Sequence, residues 1–138
     1  MPRTVVEYRC LVISPSDVPD EREAITDVIH RWSASRSENS GLRIEPVRWE
    51  THASPEMGDR PQAILNRQIV DSCDFGIAVF WTRLGSPSGE HESGSIEEIE
   101  KLVSAGRKVA IFHSNKPVRP NSLDQAEYQR LRVKIAEQ

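Results

Sequence analysis

The chain has little cysteine, no long apolar run and no excess of positive charge, and each shortage removes a class of function. Its two cysteines, Cys10 and Cys73, lack a partner at the Cys-x-x-Cys spacing of redox and zinc sites. Both stand on the approach to apolar segments, where a thiol packs as a small hydrophobe. The four histidines, His30, His52, His91 and His113, show no His-Glu-x-x-His or other paired spacing, so no metal site is expected. No apolar run nears the ~20 residues of a membrane helix, and the opening MPRTVVEYRC lacks the apolar segment of a secretory signal. A cytoplasmic protein without a membrane partner is the expectation. The 18 basic and 21 acidic residues give a net charge of −3, which argues against nucleic acid as a partner.

What is present reads as one domain over residues 1–138, long enough to bury a core without disulfides or metal. Tyr8 to Ile13 is a short apolar strand ending in the turn SPSD. A helix then opens with Ser16 or Asp17 as N-cap. Its residues Ile25, Val28, Ile29 and Trp32 form one core-facing stripe, and the serine-rich SASRSENSG closes it. Leu42 to Trp49 alternates as a strand, and Pro46 inside it favours a sheet edge or a bulge.

After the polar ETHASPEMGDR, Pro61 suits the first turn of a helix whose face carries Leu65, Ile69 and Cys73. The continuous apolar run Phe75 to Phe80 fits a central parallel strand buried on both faces. A long loop, WTRLGSPSGEHESG, leads to a helix with apolar Ile96, Ile99, Leu102 and Val103. Gly106 stops it, and Val109 to Phe112 reads as a buried strand. From Asp124 a last helix places Tyr128, Leu131 and Ile135 on one side, with no stop signal before Gln138, so continuation into a longer protein with a further domain is left open. Alternating strands and helices of these lengths imply an α/β fold. The expected form is a flavodoxin-like three-layer αβα sandwich around a parallel sheet of four or five strands, order 2-1-3-4(-5).

In such sheets, ligands bind beyond the carboxyl ends of the strands. Glu98, in the first turn of the helix after the long loop, is therefore the leading catalytic candidate. The pattern Ser95-x-x-Glu98 is equally that of a capping box, in which the pair only closes the helix end. Glu97 and Glu100 are expected on the solvated sides of that helix. Ser14, Ser16 and Asp17, after the first strand, could hold a phosphate or ribose, or serve in the turn and as N-cap. Trp81 and Arg83, after the third strand, could offer an aromatic face to a base and a guanidinium to a phosphate, or pack under the loop and lie on the surface. Trp49, His52 and Arg60 are weaker candidates, better read as packing or surface residues.

Three stretches, VISPSDVPDERE, DRPQAILNRQIVDSCDFGIAVFWTRLGSP and SGSIEEIEKLVSAGRKVAIF, arrive in an order that resembles the TIR-like (Toll/interleukin-1 receptor-like) group of bacterial proteins, related to the nucleoside 2-deoxyribosyltransferases. The resemblance runs from about Tyr8 to the final helix. In those relatives a glutamate opens the helix before the last-but-one strand, about eight residues ahead of a Gly-Lys-Pro-like turn. Glu98 stands at that distance from Gly106, with Arg107 and Lys108 in place of Lys-Pro. SGSIE replaces the Trp-Cys pair of many animal and plant members.

The resemblance implies cleavage of a ribose–base bond in NAD or a related nucleotide, with Glu98 as the catalytic carboxylate. Ser14, Ser16, Asp17, Trp81, Arg83 and Ser95 are the expected binding residues. NAD is then a substrate and no cofactor is needed. Self-association for activity, an activating partner, and a defence or signalling role are implied with it. A silent interaction module and a deoxyribosyltransferase or nucleotide hydrolase are the alternatives.

Overall fold

A computed structural model describes residues 2–15, 17–48, 69–84 and 94–137. The described residues form β1 (Val6–Ile13), α1 (Pro19–Ser40), β2 (Leu42–Val47), β3 (Phe75–Phe80), α2 (Gly94–Ser104), β4 (Val109–His113) and α3 (Gln125–Ala136), with 3-10 turns at Val70–Ser72 and Pro120–Ser122. The four strands make one all-parallel sheet in the order β2-β1-β3-β4. With helices on both faces, this is the three-layer, flavodoxin-like α/β arrangement. The helix expected from Pro61 through Leu65 falls outside the described residues, as do Ser16, Trp49, His52 and Arg60.

Side-chain alternation divides the core in two. Leu11 and Ile13 of β1, with Ala78 and Phe80 of β3, turn toward Ile96 and Leu102 of α2 and Leu131 of α3. Cys10 and Val12 turn the other way, toward Ile29 and Ile25 of α1. Gly76 lets α2 approach: a Cβ there would meet Leu102 Cδ1 at 2.8 Å. Both cysteines are free and buried, in line with packing as hydrophobes.

Helix α1 departs from expectation at its start. Val18, not Ser16 or Asp17, is its N-cap, because Pro19 supplies the preset φ of a first helical residue. The serine-rich stretch carries the helix as far as Ser40, and its last residue closes it. Thr26, Ser35 and Ser40 satisfy their hydroxyls on the carbonyls of Arg22, Trp32 and Arg36, three or four residues back, which lets a helix carry them. Gly41, at φ 69°, ends it. Ser33 does more, since its Oγ donates to the carbonyl of Ile44 at 3.0 Å and accepts its amide at 2.9 Å. One helix residue thus occupies the backbone amide and carbonyl of Ile44, and with Pro46, Arg43 and Glu45 this makes β2 an edge unsuited to further pairing.

The stripes are narrower than expected. Val28 of α1 and Val103 of α2 are exposed. Strand β4 is not buried but lies at the sheet edge with Ala110 and Phe112 exposed, because the described helix on that face covers β1 and β2. Where β1 begins to pair with β3, the Arg9 amide donates to Asp74 Oδ2 and the Asp74 amide to the Arg9 carbonyl, each at 2.8 Å. Arg107, just after the Gly106 stop (φ 77°), donates from Nη1 to the carbonyls of Val70, Asp71 and Cys73. Arg107, the first of the two residues in the Lys-Pro position, therefore caps the turn that leads into β3. No described helix is long and apolar enough to cross a membrane.

Candidate functional site

By connectivity, the carboxyl edge of the sheet carries the β1–α1 connection, the segment after β3, the first turn of α2 and the segment after β4. Asp17 and Thr82 join the first two. One Asp17 oxygen, Oδ2, accepts from the Thr82 amide at 3.0 Å and from its hydroxyl at 2.8 Å. The other, Oδ1, is buried and has no hydrogen-bond partner among the described residues, and the same holds for the Oγ of Ser14 three residues earlier. Buried polar atoms are nearly always satisfied. Two orphans on one short connection, beyond a central strand, are what a ligand's hydroxyls or an ordered water would complete.

Trp81 lies next to Thr82, and its indole is fixed from the far side of the sheet edge. Its Nε1 donates to the carbonyl of Lys116 at 2.8 Å, in the segment after β4. The Lys116 ammonium lies over the ring, 4.2 Å from the centroid, and reaches Oε1 of Glu21 at 2.9 Å. That bond to the ammonium holds the Glu21 carboxyl below its usual range, so the pair is ionic at neutral pH. Glu21 Oε2 is a third buried oxygen without a partner. The Trp81 face that could take a base thus carries a lysine instead. Arg83 is half-buried and makes no hydrogen bond or ion pair among the described residues. Next along the chain, the buried Leu84 accepts docking of α3 through its amide, which donates to Glu127 Oε2 at 3.2 Å.

In α2 the helix already begins at Gly94, which makes Ser95 a helical residue and not the N-cap that a Ser95–Glu98 capping box requires. Glu98 is half-buried in the first turns, and Ser95 is half-buried beside it. Glu97 corrects the expectation of a solvated side: it is fully buried, at 0% exposure. At about 100° per residue it points well away from the arc of Ile96, Ile99 and Leu102, so periodicity gives no sign of its burial. Glu100 is exposed, as expected.

The structure thus ties Asp17 to Thr82, with Ser14 on the same connection and Trp81 next in sequence to Thr82, and adds Glu21 and Lys116, which carried no expectation as site residues. Thr82 directly follows Trp81 and could have been noticed as a hydroxyl at a strand mouth. Lys116, in the featureless SNKPVRP, carries no local signal. No family model, curated protein or solved structure matched the chain.

Proposed function

We propose that the protein is a TIR-like N-glycosidase that cleaves the nicotinamide–ribose bond of NAD or a related nucleotide. The observation that carries the reading is the pair of orphaned buried oxygens, Ser14 Oγ and Asp17 Oδ1, on the β1–α1 connection that Asp17 ties to Thr82 at the carboxyl edge of a 2-1-3-4 parallel sheet. The same edge receives the first turns of α2 with Glu98. Orphan acceptors suit the hydroxyl donors of a ribose, and this edge is where parallel sheets bind nucleotides.

In the reaction the C–N bond to nicotinamide breaks while positive charge develops at the anomeric carbon. Glu98 is assigned the carboxylate that faces this charge, stabilising it or forming a transient glycosyl ester that water then opens. Nicotinamide leaves neutral and needs no proton, so one carboxylate suffices. Asp17, held by Thr82, would orient the ribose. The reading places the enzyme in the cytoplasm, active in bacterial defence or signalling when several copies assemble.

The exposed Phe112 and Ala110 on edge strand β4 favour a second reading, an interaction module that self-associates without catalysis. Chromatography of NAD incubated with concentrated wild type, Glu98→Gln and Glu97→Gln separates the two. Nicotinamide release that folded Glu98→Gln lacks supports the glycosidase. Release lost only in Glu97→Gln moves the chemistry one residue, and silence from wild type at every protein concentration refutes it.

A further inference from the structure

We propose that Lys116 is the phosphate-binding residue of this site and takes an oxyanion of the nucleotide in exchange for Glu21, an inference that rests on the ribosyl-nucleotide reading above. The ammonium already sits in an oxyanion's company, 2.9 Å from a carboxylate oxygen and 4.2 Å above an indole. It is also preorganised, because the same residue's carbonyl anchors that indole through Nε1. Backbone and side chain of one lysine bracket Trp81, so the aromatic ring serves as a platform for the cation and not for a base.

The exchange is favoured by what Glu21 leaves unsatisfied. Its Oε2 is buried without a partner, and rotation into water restores the lost hydration. A phosphate arriving in its place has more acceptor oxygens than a carboxylate and a larger charge for the same ammonium. It would also meet the amino end of α1, whose N-cap Val18 offers no side-chain oxygen to the first-turn amides. Arg83, without an ion-pair partner among the described residues and two positions beyond Trp81, is a second cation on the same segment. Glu21 then acts as an internal stand-in that keeps the lysine ordered until substrate displaces it.

Calorimetric titration with ADP-ribose as the phosphate-bearing probe and adenosine as the phosphate-free control tests this on wild type, Lys116→Gln, Lys116→Arg and Glu21→Gln. Lys116→Gln should weaken ADP-ribose binding about tenfold to a hundredfold, the loss of one charge-assisted contact, and leave adenosine unchanged. Lys116→Arg should retain most of the affinity. Glu21→Gln should tighten binding about twofold to fivefold by removing a competitor for the ammonium. Equal affinity in wild type and Lys116→Gln overturns the proposal, as does failure of ADP-ribose to bind wild type at millimolar concentration. Weakening in Glu21→Gln as large as in Lys116→Gln also overturns it, because the pair would then be a structural strap. Lys116-dependent binding without nicotinamide release would sink the glycosidase reading and leave the phosphate site standing, whereas release indifferent to Lys116 would do the reverse.

Discussion

Asp17 holds Thr82 by a single carboxylate oxygen, accepting from both its amide and its hydroxyl, and so ties the loop after β1 to the loop after β3. The hydroxyl bond is part-buried and 2.8 Å long. Thr82→Val keeps the shape and the amide bond while deleting the hydroxyl, and should cost about 1–3 kcal/mol. Urea unfolding measures it, and a loss below the error of the fit would show that the bond contributes nothing. Asp17→Ala should cost more, because the buried Thr82 loses the acceptor of both bonds.

Gly76→Ala tests the close approach of α2 to β3. The added methyl would lie 2.8 Å from Leu102 Cδ1, and Leu102 is fully buried. The expected destabilisation is about 1–3 kcal/mol, the usual cost of overpacking. A shorter side chain at 102 should make room, so the cost of Gly76→Ala measured in a Leu102→Val background should shrink. Identical costs in the two backgrounds would show that Leu102 is not the obstacle.

Burial pushes the Cys10 thiol up from 9.0 to about 12, with smaller help from Cys73, and burial raises Cys73 as well. Neither thiol should react with a disulfide reagent in the native protein at pH 8, and both should react in denaturant. The unfolded thiol ionises near its ordinary value while the folded one stays neutral, so the Cys10 contribution is whole below pH 9 and is lost as pH rises toward about 12. Unfolding free energies between pH 8 and 11 should fall less steeply in Cys10→Ala than in wild type.

Arg107 gathers three carbonyls, those of Val70, Asp71 and Cys73, at the turn into β3. Arg107→Met keeps much of the apolar stem and removes every donor. It should destabilise the fold by about 1–3 kcal/mol, with little change in ADP-ribose affinity, since it lies at the amino ends of the strands. A large loss of binding at unchanged stability would contradict this placement.

The strands and stops were the legible part of the fold. Phe75 to Phe80 is apolar at every position because it lies between β1 and β4, with Ala78 and Phe80 buried toward α2 and α3 and Phe75 and Ile77 partly buried against Cys10, Val12 and Ile29, and Gly106 and Asp124 mark helix ends by local chemistry alone. What the pattern misplaced depends on neighbours. Val28 and Val103 extend apolar stripes that tertiary packing uses only in part, and Phe112 looks like core although β4 has a neighbour on one side alone. Asp17 resembles an N-cap, yet Pro19 fixes the helix start two residues later and frees the carboxylate for Thr82. Of the site, Ser14, Asp17 and Trp81 were readable from their place after strands. Glu21 and Lys116 were not, because their pairing joins residues 21 and 116, and no local window spans such a distance.

The parallel sheet also sets the order in which the chain can acquire its shape. Val6 pairs with Leu42, Cys10 with Phe75 and Gly76 with Val109, so every ladder among the described residues closes a loop of more than thirty residues and none of them is a hairpin. Such topologies fold slowly, because chain entropy is lost before contacts compensate for it. The β1–α1–β2 unit has the advantage of a helix filling most of its loop and of Ser33 stitching that helix to Ile44. It is the natural nucleus, and β3, whose partner in β1 lies farthest along the sequence, joins later. Ser33→Ala should accordingly slow refolding in stopped-flow experiments, while Gly76→Ala acts mainly by speeding unfolding.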